Sequence, residues 1–332
     1  MKLKKTAVLL LAGVLAAGMT GCGSAGNAAP ASGQAAEAGS SSGAEGGAGS
    51  TDEVKIGVLM KTMSDTYSNK LGTSIETYVQ ENYPQAKLFL MDGQADIAKQ
   101  ISQAEDLIAK QVDVVILNPQ DADGSAQVLD LCNEAKIPVV EVNTETTRTD
   151  YAAFVGSEDS EAGEIMGQFV IEQLGGQGQI AILEGNMGQS AQIKRYEGLE
   201  STILKEEGIE CVATLSADWS RDKAMQTTED WLGKYKELKA IICENDDMAM
   251  GALQACESQN REMVIIGVDG IPDALKAVGD GCLTASVLQD AAGQAGTVID
   301  VAVKAAKGET VESRYNVPFQ LITAENVDQF AE

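Results

Sequence analysis

The sequence predicts an α/β protein whose parallel sheets are divided between two lobes. Three observations carry this. From Val54 onward, short apolar runs alternate with longer amphipathic ones, the pattern of strands followed by covering helices. The short runs are apolar on both faces, as strands covered on both sides are. Ten such runs exceed one comfortable sheet, and the roughly 280 residues left after trimming the ends suit two domains of ordinary size.

Taken in order, the chain opens with a basic stretch, MKLKK, then the apolar run TAVLLLAGVLAAGM and the residues MTGC. The apolar run is too short to span a membrane comfortably, so residues 1–21 read as a secretory signal. MTGC resembles a bacterial lipobox, which implies lipidation of Cys22 and makes it the first mature residue. Met19 stands where Leu is usual, and an ordinary signal with an incidental cysteine is the alternative. Residues 22–52 are almost all Gly, Ala and Ser. Such a segment cannot bury enough apolar surface to offset its ordering entropy, so a flexible tether with a reach of roughly 30 Å is expected. A lipid, a tether and a folded body describe a protein anchored at the cell surface, or on the periplasmic side of the cytoplasmic membrane, and working in water.

The strand candidates follow: 54–60 (VKIGVLM), 86–91 (AKLFLM), 112–117 (VDVVIL), 137–142 (IPVVEV), 152–156 (AAFVG), 178–183 (GQIAIL), 209–215 (IECVATL), 238–243 (LKAIIC), 262–268 (EMVIIGV) and 282–288 (CLTASVL). Helical patterns lie between most of them. In DIAKQISQAEDLIAKQ, Ile97, Ile101, Ala104, Leu107 and Ile108 recur at steps of three and four and share one face.

Composition excludes several classes of function. The chain has 24 basic and 50 acidic residues; without the three lysines of the signal the balance is −29. That argues against nucleic acid or anionic lipid as a partner, and leaves the lipid anchor as the membrane contact. There is no histidine, which removes the usual general base, nucleophile activator and metal ligand. Neither a metal nor a cofactor is expected. Besides Cys22 there are five cysteines and no CxxC, so at least one thiol is unpaired within the chain. Cys211, Cys243 and Cys282 fall in or beside strands, where cysteine packs as a small apolar residue, and no disulfide is expected.

The strand ends are polar. Asn118-Pro119, Asn143-Thr144, Glu184-Gly185-Asn186, Glu244-Asn245-Asp246-Asp247, Asp269-Gly270 and Gln289-Asp290 each follow an apolar run. In open parallel sheets ligands bind outside the carboxyl ends of the strands, and amides and carboxylates there suit hydroxyl groups. In AIICENDDMAMGAL (240–253), Asn245 offers donors and acceptors to a ligand. Asp246 is expected to cap the next helix, Asp247 to complement its dipole, and Met248, Gly251 and Ala252 to pack on the sheet.

The chain resembles the type I periplasmic sugar-binding proteins of bacterial ABC importers, close to the ribose- and galactose/glucose-binding members. The resemblance runs from Val54 to the C-terminus, through DGQADIAKQISQAEDLIAKQVDVVILNPQDADG, SADWSRDKA, ENDDMAMGAL and GVDGIPDALKAVGDGCLTASVLQD. It implies two doubly wound lobes, 53–156 plus 289–314 and 157–288 plus 315–332, joined by three crossing hinge strands with the ligand cleft between them. It implies ligand contacts from Asp65, Tyr67, Asn118, Asn143, Arg195, Trp219, Asn245, Asp269 and Gln289. Carboxylates and amides would hold hydroxyls, Arg195 would donate in a planar fork, and Tyr67 and Trp219 would stack on a ring. The chain departs from the ribose binders at Asn143-Thr144, where they carry Asp-Arg. It departs from the galactose/glucose binders at Gln189 and Ala191, and its GGQG (175–178) leaves no calcium loop. Lys61 is unusual in the first loop, where it would either reach the ligand or point to solvent.

The implied function is an extracytoplasmic solute-binding lipoprotein, not an enzyme. It would capture a monosaccharide or cyclitol and deliver it to an ABC permease and its ATPase. Docking to a chemoreceptor is compatible with the same sequence. A glycoside hydrolase using Asp65 and Asp269 is the catalytic rival, without sequence support for a raised pKa in either. A gene regulator would need a basic DNA-binding module, where this chain has a secretion signal and a tether.

Overall fold

The computed structural model describes residues 53–330; the signal, Cys22 and the tether lie outside the described residues. In chain order the elements begin with β1 (Lys55–Met60), α1 (Thr66–Asn82), β2 (Lys87–Asp92), α2 (Ile97–Ala109), β3 (Val114–Leu117), α3 (Ala126–Ala135), β4 (Val139–Val142) and β5 (Ala153–Gly156). There follow α4 (Asp159–Leu174), β6 (Gly178–Glu184), α5 (Ser190–Ser201), β7 (Ile209–Ser216), α6 (Arg221–Lys234), β8 (Leu238–Cys243), α7 (Asp246–Ser258), β9 (Val264–Asp269), α8 (Pro272–Gly279) and β10 (Ala285–Leu288). The last are α9 (Ala291–Ala306), β11 (Arg314–Asn316) and β12 (Gln320–Ile322).

The strands form two six-stranded sheets of matching order, β2-β1-β3-β4-β5-β11 and β7-β6-β8-β9-β10-β12. The first five strands of each run parallel in the doubly wound 2-1-3-4-5 arrangement, with Ile56 of β1 opposite both Leu88 and Val114. The chain passes between the sheets three times. It leaves β5 for α4, which packs on β8, β9 and β10. It leaves β10 for α9, which packs on β3, β4, β5 and α1, and it runs from β11 into β12.

Alternation along the strands divides each sheet's apolar residues between two covered faces. In the first sheet, Ile56, Val58 and Met60 join α1 and α9, while Leu59, Val115 and Leu117 join α2 and α3. Helix α2 shows the amphipathic stripe the sequence predicts: Asp96 caps it by accepting from Lys99 N, and Ala104 and Leu107 are buried. On α7, Met248, Gly251 and Ala252 are likewise buried.

All ten strand candidates are strands, and each ends within one residue of its expected end. Four start two or three residues later, because buried flanking residues such as Val112 and Leu283 only approach the ladder. Strands β11 and β12 were not among the candidates. They have three residues each, and β12 pairs antiparallel to β10, so the second sheet is not wholly parallel. Segments as short as RYN and QLI carry no periodicity; their pairing comes from where the crossing chain passes.

Candidate functional site

The order of each sheet reverses between β1 and β3 and between β6 and β8. The loops at those carboxyl ends are where ligands bind in such folds. They enclose an inner cavity lined by Lys61, Asp65, Tyr67, Asn143, Ala191, Arg195, Trp219, Asn245, Asp269 and Gln289. Eight of the nine residues expected at the site thus line one space, drawn from both sheets.

The ninth, Asn118, does not line it. It is wholly buried just after β3; its amide donates to Val142 O at 3.1 Å and Thr144 Oγ1 at 2.7 Å, and its Oδ1 accepts from Lys61 N. Asn118 therefore ties the first binding loop to the loop after β4, instead of facing a ligand. Its neighbour in that arrangement, Asn143, holds a left-handed backbone (φ 65°) and presents its side chain to the cavity.

Asp65 orients the N-terminus of α1. Its Oδ1 accepts from Ser68 N at 2.7 Å and its Oδ2 from Ser68 Oγ at 2.9 Å. Tyr67 is the second residue of α1. Its hydroxyl is buried without a hydrogen-bond partner, and burial pushes the phenol well above its usual pKa, so it stays protonated.

On the opposite wall, Arg195 projects from α5 into a nearly solvent-free ion pair. Nε donates to Asp159 Oδ1 at 2.9 Å with both side chains 3% exposed. Nη1 donates to Glu244 O, and Nη2 to Gln289 Oε1 at 3.3 Å. The protein thus holds the guanidinium rigidly before any ligand arrives, as a buried charge requires. Trp219 sits at φ 60° after Asp218 at φ 52°, and its Nε1 donates to Gln189 Oε1 at 2.9 Å. Two non-glycine residues in left-handed conformations are a local strain that the surrounding packing must hold. Gly185 is required here: a Cβ at that position would lie 2.0 Å from the indole ring. Arg195 and Lys61 lie 5.7 and 5.8 Å from the ring centroid.

The ENDD stretch divides its work differently from the sequence expectation. Asn245, not Asp246, caps α7, its Oδ1 accepting from Met248 N at 3.0 Å while the residue lines the cavity. Asp246 is wholly buried and braces the loop after β9. It accepts from Gly270 N, Ile271 N and Ser286 Oγ. Asp247 takes an ion pair with Arg221. Glu244 accepts from Gly185 N at 2.7 Å, beneath Trp219, and burial holds its carboxyl well above the usual range.

Asp269 ends β9 at φ 132° and is almost fully buried. Its carboxylate has no hydrogen-bond partner among the described residues. Burial pushes its pKa well up, against the pull of Arg195. Gln289 Nε2 is also buried without a partner.

The sequence offered the ligand only as one of two alternatives for Lys61 and did not assign Gln189 to the site. Lys61 directly follows β1, and its Nζ donates to Gln189 Oε1 across the cleft at 3.3 Å. Burial lowers its pKa, opposed by the nearby Asp65 carboxylate. The polar strand-end position could have marked Lys61; Gln189, the N-cap of α5, lies five residues beyond the end of β6 and carries no such signal. Glu184 accepts from Gln192 Nε2 and does not line the cavity, whereas Asn186 lines a second, outer chamber.

The lobes are drawn together. Ala122 N donates to Gly188 O at 3.0 Å and Glu145 N to Ser190 Oγ at 2.9 Å, and Lys194 pairs with Glu145. Room for water in the inner cavity is about 20 Å³, enough for about one molecule. A sugar ring is far larger than this space.

Residues 56–310 match the family model described as "Periplasmic binding protein domain". The chain belongs to this family. It is a member of the sugar- and polyol-binding, type I periplasmic binding proteins, the solute receptors of ABC importers. The chain is 30% identical over 326 residues to a xylitol-binding protein of Mycolicibacterium smegmatis, covering 98% of this chain and 87% of that protein. It is 31% identical over 238 residues to a ribose import binding protein of Salmonella typhimurium, covering 71% and 79%. A solved solute-binding protein from Bacillus halodurans with bound myo-inositol superposes with a TM-score of 0.82 at 34% identity, covering 85% of this chain and 99% of that one. This periplasmic binding protein works outside the cytoplasm, delivers a sugar or polyol to an ABC permease and its ATPase, and is not an enzyme.

Proposed function

We propose that this binding protein captures a neutral polyhydroxylated ring, a cyclitol or a monosaccharide, with the inositols as first candidates. One observation carries the reading: Tyr67 Oη and Gln289 Nε2 are buried without a hydrogen-bond partner among the described residues, and the Asp269 carboxyl lines the same cavity. Buried polar groups without partners cost about 1–3 kcal/mol each. Ring hydroxyls donate and accept, so they supply what the phenol and the amide lack and can also donate to the carboxyl. Trp219, braced by Gly185 and Gln189, offers an apolar face for the ring's C–H groups. The ligands of the similar proteins, myo-inositol, xylitol and ribose, are all neutral and rich in hydroxyls.

A thermal-shift screen followed by calorimetry tests this. The melting temperature should rise with at least one of myo-inositol, D-ribose, xylitol and D-glucose, since a ligand that binds only the folded state stabilises it by mass action. No shift with any inositol, pentose or hexose would end the reading. The lipoprotein reading of Cys22 has its own test. Cells carrying Cys22→Ser should fail to attach labelled fatty acid to the protein; a labelled variant would refute lipidation there.

A further inference from the structure

Outside the inner cavity lies a second, larger chamber. It offers about 380 Å³ of room for water, against about 20 Å³ inside, and the two meet at Lys61, Asp65 and Trp219. Its walls come from both lobes, with Gln120 on one side and Asn186, Asp218 and Asp222 on the other. The chamber persists although the lobes already touch beside it. Ala122, two residues from Gln120, donates to Gly188 O.

An entrance used only for passage has no need of a buried, unsatisfied acceptor. Gln120 provides one. The residue is 7% exposed, its backbone N–H is held by Gln100 Oε1 and Ser125 Oγ, and its Oε1 is buried with no partner. The charges around the chamber are largely engaged elsewhere. Arg221 pairs with Asp247 and Asp273, Lys223 pairs with Asp218, and Asp65 caps α1. What remains suits a neutral hydroxyl group better than a phosphate or carboxylate.

We propose that the outer chamber is a second subsite, for a neutral hydroxylated unit joined to the ring in the inner cavity, so that the preferred ligand is a two-ring glycoside. This rests on the polyol reading of the inner site. A hydroxyl of the second unit hydrogen-bonds the side-chain amide of Gln120, and the joining oxygen lies beside Lys61 and Trp219, where the two spaces meet.

Calorimetry with the full mature protein tests it, using single rings and their glycosides in pairs: myo-inositol with galactinol, D-galactose with melibiose, D-glucose with trehalose. In at least one pair the two-ring member should bind about tenfold or more tightly than its single ring. Gln120→Ala should remove that gain while leaving the single ring's Kd within about twofold. Asn186→Trp, which fills the chamber, should exclude the glycoside and spare the single ring. Single rings that bind while every glycoside is weaker would overturn the second subsite, as would a Gln120→Ala variant that weakens both members alike. Failure of all six compounds to bind would sink the polyol reading itself, and this inference with it.

Discussion

Asn118 and Asp269 end parallel strands in opposite lobes, and their side chains have opposite fates. Asn118 is surrounded by chain: the carbonyl of Val142, the hydroxyl of Thr144 and the amide of Lys61 engage its whole side chain. Asp269 is nearly as buried but finds no partner, and faces the space between the lobes. A polar strand end is therefore common to scaffold and binding residues. The distinction lies in whether the protein itself satisfies the group. Glu141 belongs with Asn118: wholly buried within β4, it accepts from Thr146 N at 3.0 Å and Thr146 Oγ1 at 2.7 Å and so shapes the same loop. Tyr67 belongs with Asp269.

If this division holds, scaffold substitutions change stability and binding-wall substitutions change affinity. The largest effect is expected at Glu141. Burial outweighs its bonds to Thr146 and lifts its carboxyl from 4.5 to about 7. Between those values the folded state holds more protons than the unfolded one. Its contribution is therefore complete below pH 4.5 and is lost as pH rises through about 7, by at most about 3 kcal/mol. Glu141→Gln should flatten that part of the profile and be the more stable protein at pH 8, with ligand affinity unchanged. Urea denaturation at pH 5 and pH 8 reads this directly, and parallel profiles for both proteins would contradict it.

Asp269→Ala comes next. Loss of the acceptor leaves a ligand hydroxyl buried without a partner and should weaken binding by about 1–3 kcal/mol, roughly 5- to 150-fold. The unliganded protein should melt no lower, because the carboxyl it loses had no partner. Unchanged affinity in calorimetry would move Asp269 out of the site. Asn118→Ala should do the converse, lowering folding stability by about 2 kcal/mol as Thr144 and the Val142 carbonyl lose a partner. Its affinity loss, through a loosened Asn143 loop, should be smaller than that of Asp269→Ala; the reverse ranking would break the comparison. The smallest effect is expected for Tyr67→Phe, which removes only the partnerless hydroxyl: about 0.5–1.5 kcal/mol of affinity and no loss of melting temperature.

Much of this was legible in the sequence. Apolar runs marked ten strands because burial on both faces demands a continuous apolar stretch, which shows in one dimension. Of the nine residues expected at the site, eight line one cavity. Asn118 misled because its type and position match those of a ligand contact, and its partners lie 24 to 57 residues away. The caps of α7 were exchanged for a similar reason. Asp246 is an excellent capping residue in isolation, but the amides of Gly270 and Ile271 claim it. Lys61 and Gln189 stood out only as departures, and their pairing across the cleft has no local signature.

The sequence by itself determined the alternation of strands and helices, the polar rim at the strand ends and the resemblance to a family. Those depend on residue type and spacing along the chain. The tertiary structure alone decided which rim residues are satisfied and which are left facing the gap. Hydrogen bonds act over about 3 Å, and the atoms that complete or withhold them come from segments far apart in the chain.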